Sequence, residues 1–130
     1  MLVLEPIRGL RVVADPGALD RARWAGADVL VLRFATDDAL AIGATDVELD
    51  DTHAIVEDER GYVGTWIAVE EVARHAEWPL PTARPALTQG AIAGVPAQVW
   101  LPAGDDGLAF LVVASAASAV LADRLGRGRP

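Results

Sequence analysis

The stretch Tyr62-Val-Gly-Thr-Trp-Ile-Ala68, followed at once by Val69-Glu-Glu-Val-Ala-Arg-His-Ala-Glu77, decides the fold class. Through residue 68 the pattern has a period of two, with Tyr62, Gly64, Trp66 and Ala68 on one side and Val63 and Ile67 on the other, which is the signature of an extended strand. The period then changes. Val69, Val72, Ala73 and Ala76 recur at helical spacing, while Glu70, Glu71, Arg74 and Glu77 fall on the opposite, water-facing side. Downstream, Leu87 to Ala93 and Ala97 to Leu101 read as two further strands around a reversal at Gly94-Val-Pro96. A strand, an amphipathic helix and two strands form a βαββ unit.

Working outward from this unit, Trp78-Pro-Leu-Pro-Thr-Ala-Arg-Pro85 has three prolines and cannot continue the helix. Leu108 to Val113 reads as a buried strand after the turn-prone Pro102 to Gly107. Ser115 to Leu125 reads as a closing helix with Ala117, Val120, Leu121 and Leu125 toward the sheet, and residues 126–130 as a frayed tail. Upstream, Leu2 to Leu4 and Leu10 to Ala14 are expected edge strands. Asp15-Pro16 is a helix-start signal for residues 16–25, with Gly26 as the stop. Asp28 to Phe34 and Ala39 to Gly43 form an expected hairpin, and His53 to Glu57 with Tyr62 to Ala68 a second one. The fold class is α+β: one domain over residues 1–130, a ferredoxin-like or split βαβ layer, with about three helices on a mostly antiparallel sheet. The expected core includes Trp66, Val72, Ile92, Val99, Phe110 and Leu121.

Composition narrows function more than any motif does. The chain has 130 residues, no cysteine and a formal charge of −8, and all of its basic side chains are Arg. Disulfides and thiolate chemistry are excluded, as are Schiff-base lysines and a P-loop. An acidic surface disfavours nucleic acid. The longest uncharged apolar run, Leu108 to Ala122, is too short to span a membrane, so the expectation is a cytoplasmic protein with no membrane partner.

No residue set with catalytic spacing emerges. The acidic run Asp46 to His53 lacks the glycine turn and terminal Glu of a calcium loop and holds one His, so it reads as a solvated strand or loop with Val47 and Leu49 inward, and no metal is assigned. His53 lies close to Asp50 and Asp51, and His75 lies beside Arg74 and Glu77, without a positioned partner for acid–base work. Ser115 and Ser118 lack a nucleophile-elbow setting. Trp24, Trp66, Trp78 and Trp100 are candidates for a ligand wall, for core packing or for interface anchors.

Three stretches carry a family resemblance: His53-Ala-Ile-Val-Glu57, the strand and helix from Thr65 to Leu80, and Leu87-Thr-Gln-Gly-Ala-Ile-Ala-Gly-Val-Pro-Ala-Gln-Val-Trp100. With the Leu108 to Ala119 finish, and with Phe34 to Ile42 as a turn into an apolar strand, residues of about 28 to 125 resemble the gamma subunit of heterotetrameric sarcosine oxidase. The wider group is that of the folate-binding glycine-cleavage T-protein-like domains. The chain departs from it at Val69-Glu70-Glu71, where the family has Gly-Pro. The resemblance implies a non-catalytic accessory subunit in a flavin- and folate-dependent amine oxidase, with cofactors held mainly by other subunits and no catalytic residue here. Its partners would be the other oxidase subunits, or a second copy in a homodimer through a surface around Gln98 and Trp100. Two alternatives stay open: a free-standing domain for folate or a similar heteroaromatic ligand, contacted by Trp66, Gln89 and Trp100, and an acid–base enzyme using a His–carboxylate pair.

Overall fold

The computed structural model describes residues 2–104 and 106–127, with Arg127 described by its backbone alone. The protein is α+β, mostly antiparallel sheet, with three helices among the described residues. In chain order the elements are β1 (Glu5–Pro6), β2 (Gly9–Val13), α1 (Pro16–Asp20), β3 (Arg23–Ala35), β4 (Asp38–Glu48) and β5 (Ile55–Glu59). Then come β6 (Tyr62–Ala68), α2 (Val69–His75), β7 (Ala86–Ile92), β8 (Val95–Leu101), β9 (Leu108–Ala114), a 3-10 turn at Ser115–Ala117, and α3 (Ser118–Arg127). The chain forms two compact units, one made of residues 7–60 and the other of the N-terminus through Pro6 together with the chain from Gly61 onward.

The unit of residues 7–60 is a four-stranded antiparallel sheet in the order β3-β4-β2-β5. Its core is Leu10, Val12, Ala14, Leu19, Ala39, Ala41 and Ala44, with Trp24, Val47 and Leu49 packed at the margin. Asp15 caps α1 as expected, accepting from the Ala18 N–H at 3.2 Å, with Pro16 in the first helical position. The helix, however, stops at Asp20 instead of reaching residue 25. Arg23, Trp24 and Ala25 are held as strand by pairing with Glu48, Val47 and Asp46, and this long-range ladder outweighs a local helical pattern. The hairpin expected over residues 28–43 is present and longer, with a bulge where pairing jumps from Gly26↔Ala44 to Leu30↔Ile42. Gly26 has φ 147°, and a Cβ there would lie 2.2 Å from the Gly43 carbonyl oxygen, so the bulge admits no side chain at that point. Across the sheet, Arg11 grips Asp38 with two parallel bonds, Nε to Oδ1 at 2.6 Å and Nη2 to Oδ2 at 2.7 Å.

The other unit is a five-stranded sheet, β1-β6-β9-β8-β7, again antiparallel throughout. Val72 of α2 and Leu121 and Leu125 of α3 pack with Val63, Ile67, Ile92, Val99, Leu111 and Val113 in one cluster, so both helices lie on the same face. A split βαβ layer would set β6 and β7 parallel with one strand between them. Here β9 and β8 both intervene, and β6 and β7 run antiparallel.

Several local expectations change with this topology. β5 pairs with β2 while β6 pairs with β1 and β9, so residues 53–68 are not a hairpin. β2 is an interior strand, and Leu2 to Leu4 precede the first strand instead of forming one. The reversal between β7 and β8 is Ala93-Gly94, one residue earlier than Gly94-Val-Pro96. Val120 is exposed, whereas Ala117, Leu121 and Leu125 pack inward. Gly126 and Arg127 continue α3, and the remainder of the tail lies outside the described residues.

Of the six expected core residues, Val72, Ile92, Val99 and Leu121 are buried at 1% exposure or less. Trp66 and Phe110 are not in this core; Trp66 is 51% exposed and Phe110 half-buried. The alternation in β6 was right in period and opposite in sense, since Val63 and Ile67 take the buried side. Leu111→Ala and Leu121→Ala are therefore expected to lower unfolding stability by about 2–5 kcal/mol. Trp66→Ala, with half its surface already in water, should cost less than about 2 kcal/mol. Urea unfolding followed by circular dichroism checks this order, and the reverse order would overturn the face assignment.

Candidate functional site

Residues paired across an antiparallel ladder project to the same face. In the five-stranded sheet, Trp66 pairs with Phe110, Phe110 with Trp100, and Trp100 with Leu87, giving one continuous row across β6, β9, β8 and β7. The neighbouring row is Gly64, Val112, Gln98 and Gln89. Both rows lie on the face turned away from α2 and α3, since the intervening Val63, Ile67, Leu111 and Val99 belong to the helix-side cluster. Trp66, Gln89, Gln98 and Trp100, scattered over 35 positions of sequence, thus share one surface.

The geometry within these rows is specific. The Trp66 and Phe110 rings are 5.0 Å apart between centroids and tilted by 45°, a favourable aromatic arrangement. Gln98 donates from Nε2 to Oε1 of Gln89 at 2.8 Å. Its own Oε1 is buried with no partner among the described residues. Flipping both amides exchanges donor and acceptor but still leaves the second atom of Gln98 unpaired, and such an atom costs roughly 1–3 kcal/mol. Beside the pair lies a cleft of about 380 Å³ lined by Tyr62, Gln89, Pro96, Gln98, Val112 and Ala114 among others. It sits where β8 and β9 part. Their pairing ends at Gln98↔Val112 although both strands continue, and Pro96 has no N–H with which to extend the ladder.

The hairpin that presents both glutamines is fixed at its tip. Ala93 and Gly94 have φ of 49° and 80°, the two left-handed residues of a tight reversal. The Ala93 N–H donates to the His75 carbonyl at 3.0 Å, the Gly94 N–H to Glu77 Oε2 at 2.7 Å, and Arg124 Nη1 to the Ala93 carbonyl at 2.7 Å. Behind β7, the Trp78 ring lies over Gly90, where a Cβ would come within 2.5 Å of it, and Trp78 Nε1 donates to Thr88 Oγ1 at 2.8 Å. Trp78 is therefore packing on the opposite side of β7 from Gln89. Trp24 packs against the core of residues 7–60. Of the four tryptophans, Trp66 and Trp100 make up the aromatic face, joined by Phe110, which the sequence pattern places in the core.

Asp51 and Ser118 make structural hydrogen bonds, whereas His75 Nε2 is buried with no hydrogen-bond partner among the described residues. Asp51 Oδ2 accepts from the Asp15 N–H at 2.8 Å and its Oδ1 from the His53 N–H at 2.9 Å, so the carboxylate holds the main chain of His53 and ties this turn to the start of α1. Those two backbone bonds, Asp15 first, hold Asp51 below the ordinary carboxylate pKa; desolvation opposes them, and the charge of His53 adds to the lowering. Ser118 donates from Oγ to the Ser115 carbonyl at 2.8 Å. Among the described residues, no three His, Asp or Glu side chains come together as a metal site, and no helix is long and apolar enough to cross a membrane.

Comparison with protein-family models, with curated proteins and with solved structures finds no match to this chain.

The depressed pKa of Asp51 makes a signed expectation. Ionised Asp51 contributes stability above the ordinary carboxylate value, and that contribution is lost as pH falls through the lower folded value. Asp51→Ala should therefore destabilise the chain near neutrality and flatten the acid limb over roughly pH 5 to pH 2. Urea midpoints measured across that range check it; parallel profiles for the two chains would contradict it.

Proposed function

We propose that the chain is a non-catalytic binding module and that its working surface is the Trp66–Phe110–Trp100–Leu87 row. The observation that carries this reading is the exposure of Trp66: a large apolar ring, 51% open, stands at the end of an aromatic row on the face opposite the helix-side core. Trp and Phe give large contact area with few torsions to freeze, which is why they anchor interfaces. The resemblance of residues of about 28 to 125 to the sarcosine oxidase gamma subunit supplies the specific form of the proposal. The chain then acts in the cytoplasm as an accessory subunit of a flavin- and folate-dependent amine oxidase, docked on the larger subunits or on a second copy of itself.

A second reading is favoured by the cleft. About 380 Å³ is within the range of small-ligand sites, and the linked amides of Gln89 and Gln98 offer the paired donor and acceptor that a folate-like heterocycle presents on its edge.

Purified alone, the chain is expected to show no flavin absorbance and no amine oxidase turnover. Mixed with the flavin-bearing oxidase subunit of the same source, it should form a complex by light scattering at micromolar concentration. Trp66→Ala should weaken that complex or the homodimer while leaving the circular dichroism unchanged. A wild-type monomer that binds neither that subunit nor itself contradicts the docking reading. Tryptophan fluorescence that shifts on titration with tetrahydrofolate, and does not for Gln98→Leu, would favour the cleft.

A further inference from the structure

The unit of residues 7–60 ends in an open sheet edge that has no part in the aromatic face. β5 is the last strand in the order β3-β4-β2-β5, so one side of its backbone pairs with β2 and the other has no strand among the described residues. Residues 55–58 are all exposed. Ile55 is 56% and Val56 43% open, and as adjacent strand positions they present apolar surface on both faces of the edge. Folded proteins blunt such an edge with charged side chains, Pro, a bulge or a covering segment, and on β5 the carboxylates of Glu57 and Asp58 are the charges that serve. β5 has no Pro and no Lys, and its register against β2 runs without a break from Val13↔Ile55 to Gly9↔Glu59.

The charge on this edge selects the kind of strand that fits it. Glu59 is engaged by Arg11 at 3.3 Å, whereas the exposed carboxylates of Glu57 and Asp58 have no ion pair among the described residues. Centred antiparallel pairing of β5 with a second copy of itself would set Glu57 against Glu57 and Val56 against Asp58, and like charges directly opposite are destabilising. We propose that β5 is a docking edge for an extended basic segment of another protein, which adds antiparallel as a fifth strand. Its backbone completes the ladder, two apolar side chains lie opposite Ile55 and Val56, and two Arg or Lys side chains lie opposite Glu57 and Asp58. Main-chain bonds supply affinity in this mode, and side chains at alternate positions supply selection.

The test uses the full chain and a short fluorescent peptide in which two arginines precede two β-branched residues. Fluorescence anisotropy should report binding. The same peptide with its alternate amides N-methylated should lose at least roughly tenfold in affinity, because the ladder is removed and the charge is kept. The Glu57→Arg/Asp58→Arg chain should lose roughly tenfold for the basic peptide and gain binding to its glutamate counterpart. Both substitutions are at exposed positions, and a circular dichroism melt verifies that the variant is folded. Backbone amides of β5 should exchange more slowly with peptide bound. Equal binding of the N-methylated peptide, indifference to charge reversal, or no binding at all would each overturn the proposal, as would β5 protection arising from self-association of the chain without peptide.

Discussion

Successive residues of a strand face opposite sides, and the sheet β1-β6-β9-β8-β7 depends on which parity takes the side of the helices. Val63, Ile67, Leu111, Val113, Val99 and Leu101 fill the side under α2 and α3. Branched aliphatic side chains interdigitate densely beneath two short helices. Once they occupy that side, Trp66, Phe110, Trp100, Gln98 and Gln89 can only be on the other. The aromatic face is thus a consequence of the aliphatic core rather than an independent feature. The splay between β8 and β9 follows in turn, because Pro96 cannot donate to a ladder that Gln98 and Val112 bring to its limit.

Sequence pattern carried the elements whose partners are near in the chain. The change of period at Ala68–Val69, the helix stripe through Val72, the strand pair around residue 93 and the Asp15-Pro16 cap all rest on local physics. What failed needed distant information. Residues 16–25 have a helical apolar pattern, but Arg23 to Ala25 are claimed by Asp46 to Glu48. β5 was assigned to its neighbour β6, whereas its hydrogen bonds go to β2. Periodicity in β6 fixes which residues share a side and is silent on which side is buried.

The residues of the candidate face are visible in the sequence by type, and their common placement is not. Trp66, Gln89, Gln98 and Trp100 stood out by residue type, yet nothing local joined them. One signal was available. A two-residue reversal at Ala93-Gly94 sets the register of the hairpin, and that register brings Gln89 opposite Gln98 and Leu87 opposite Trp100. Placing the turn one residue later hid this pairing. The clamp on Ala93 and Gly94 by His75, Glu77 and Arg124 also lay beyond sequence reading, since it joins α2, its exit and α3.

The central claim is that the aromatic and glutamine side chains occupy the face away from the helices. Nuclear Overhauser contacts from the Trp66 indole protons in the isolated chain test it most directly. The claim requires contacts from Trp66 to the Phe110 ring and none to the methyl groups of Val72 or Leu121. Contacts from Trp66 to those helix methyls would contradict it, and with it the proposed working surface.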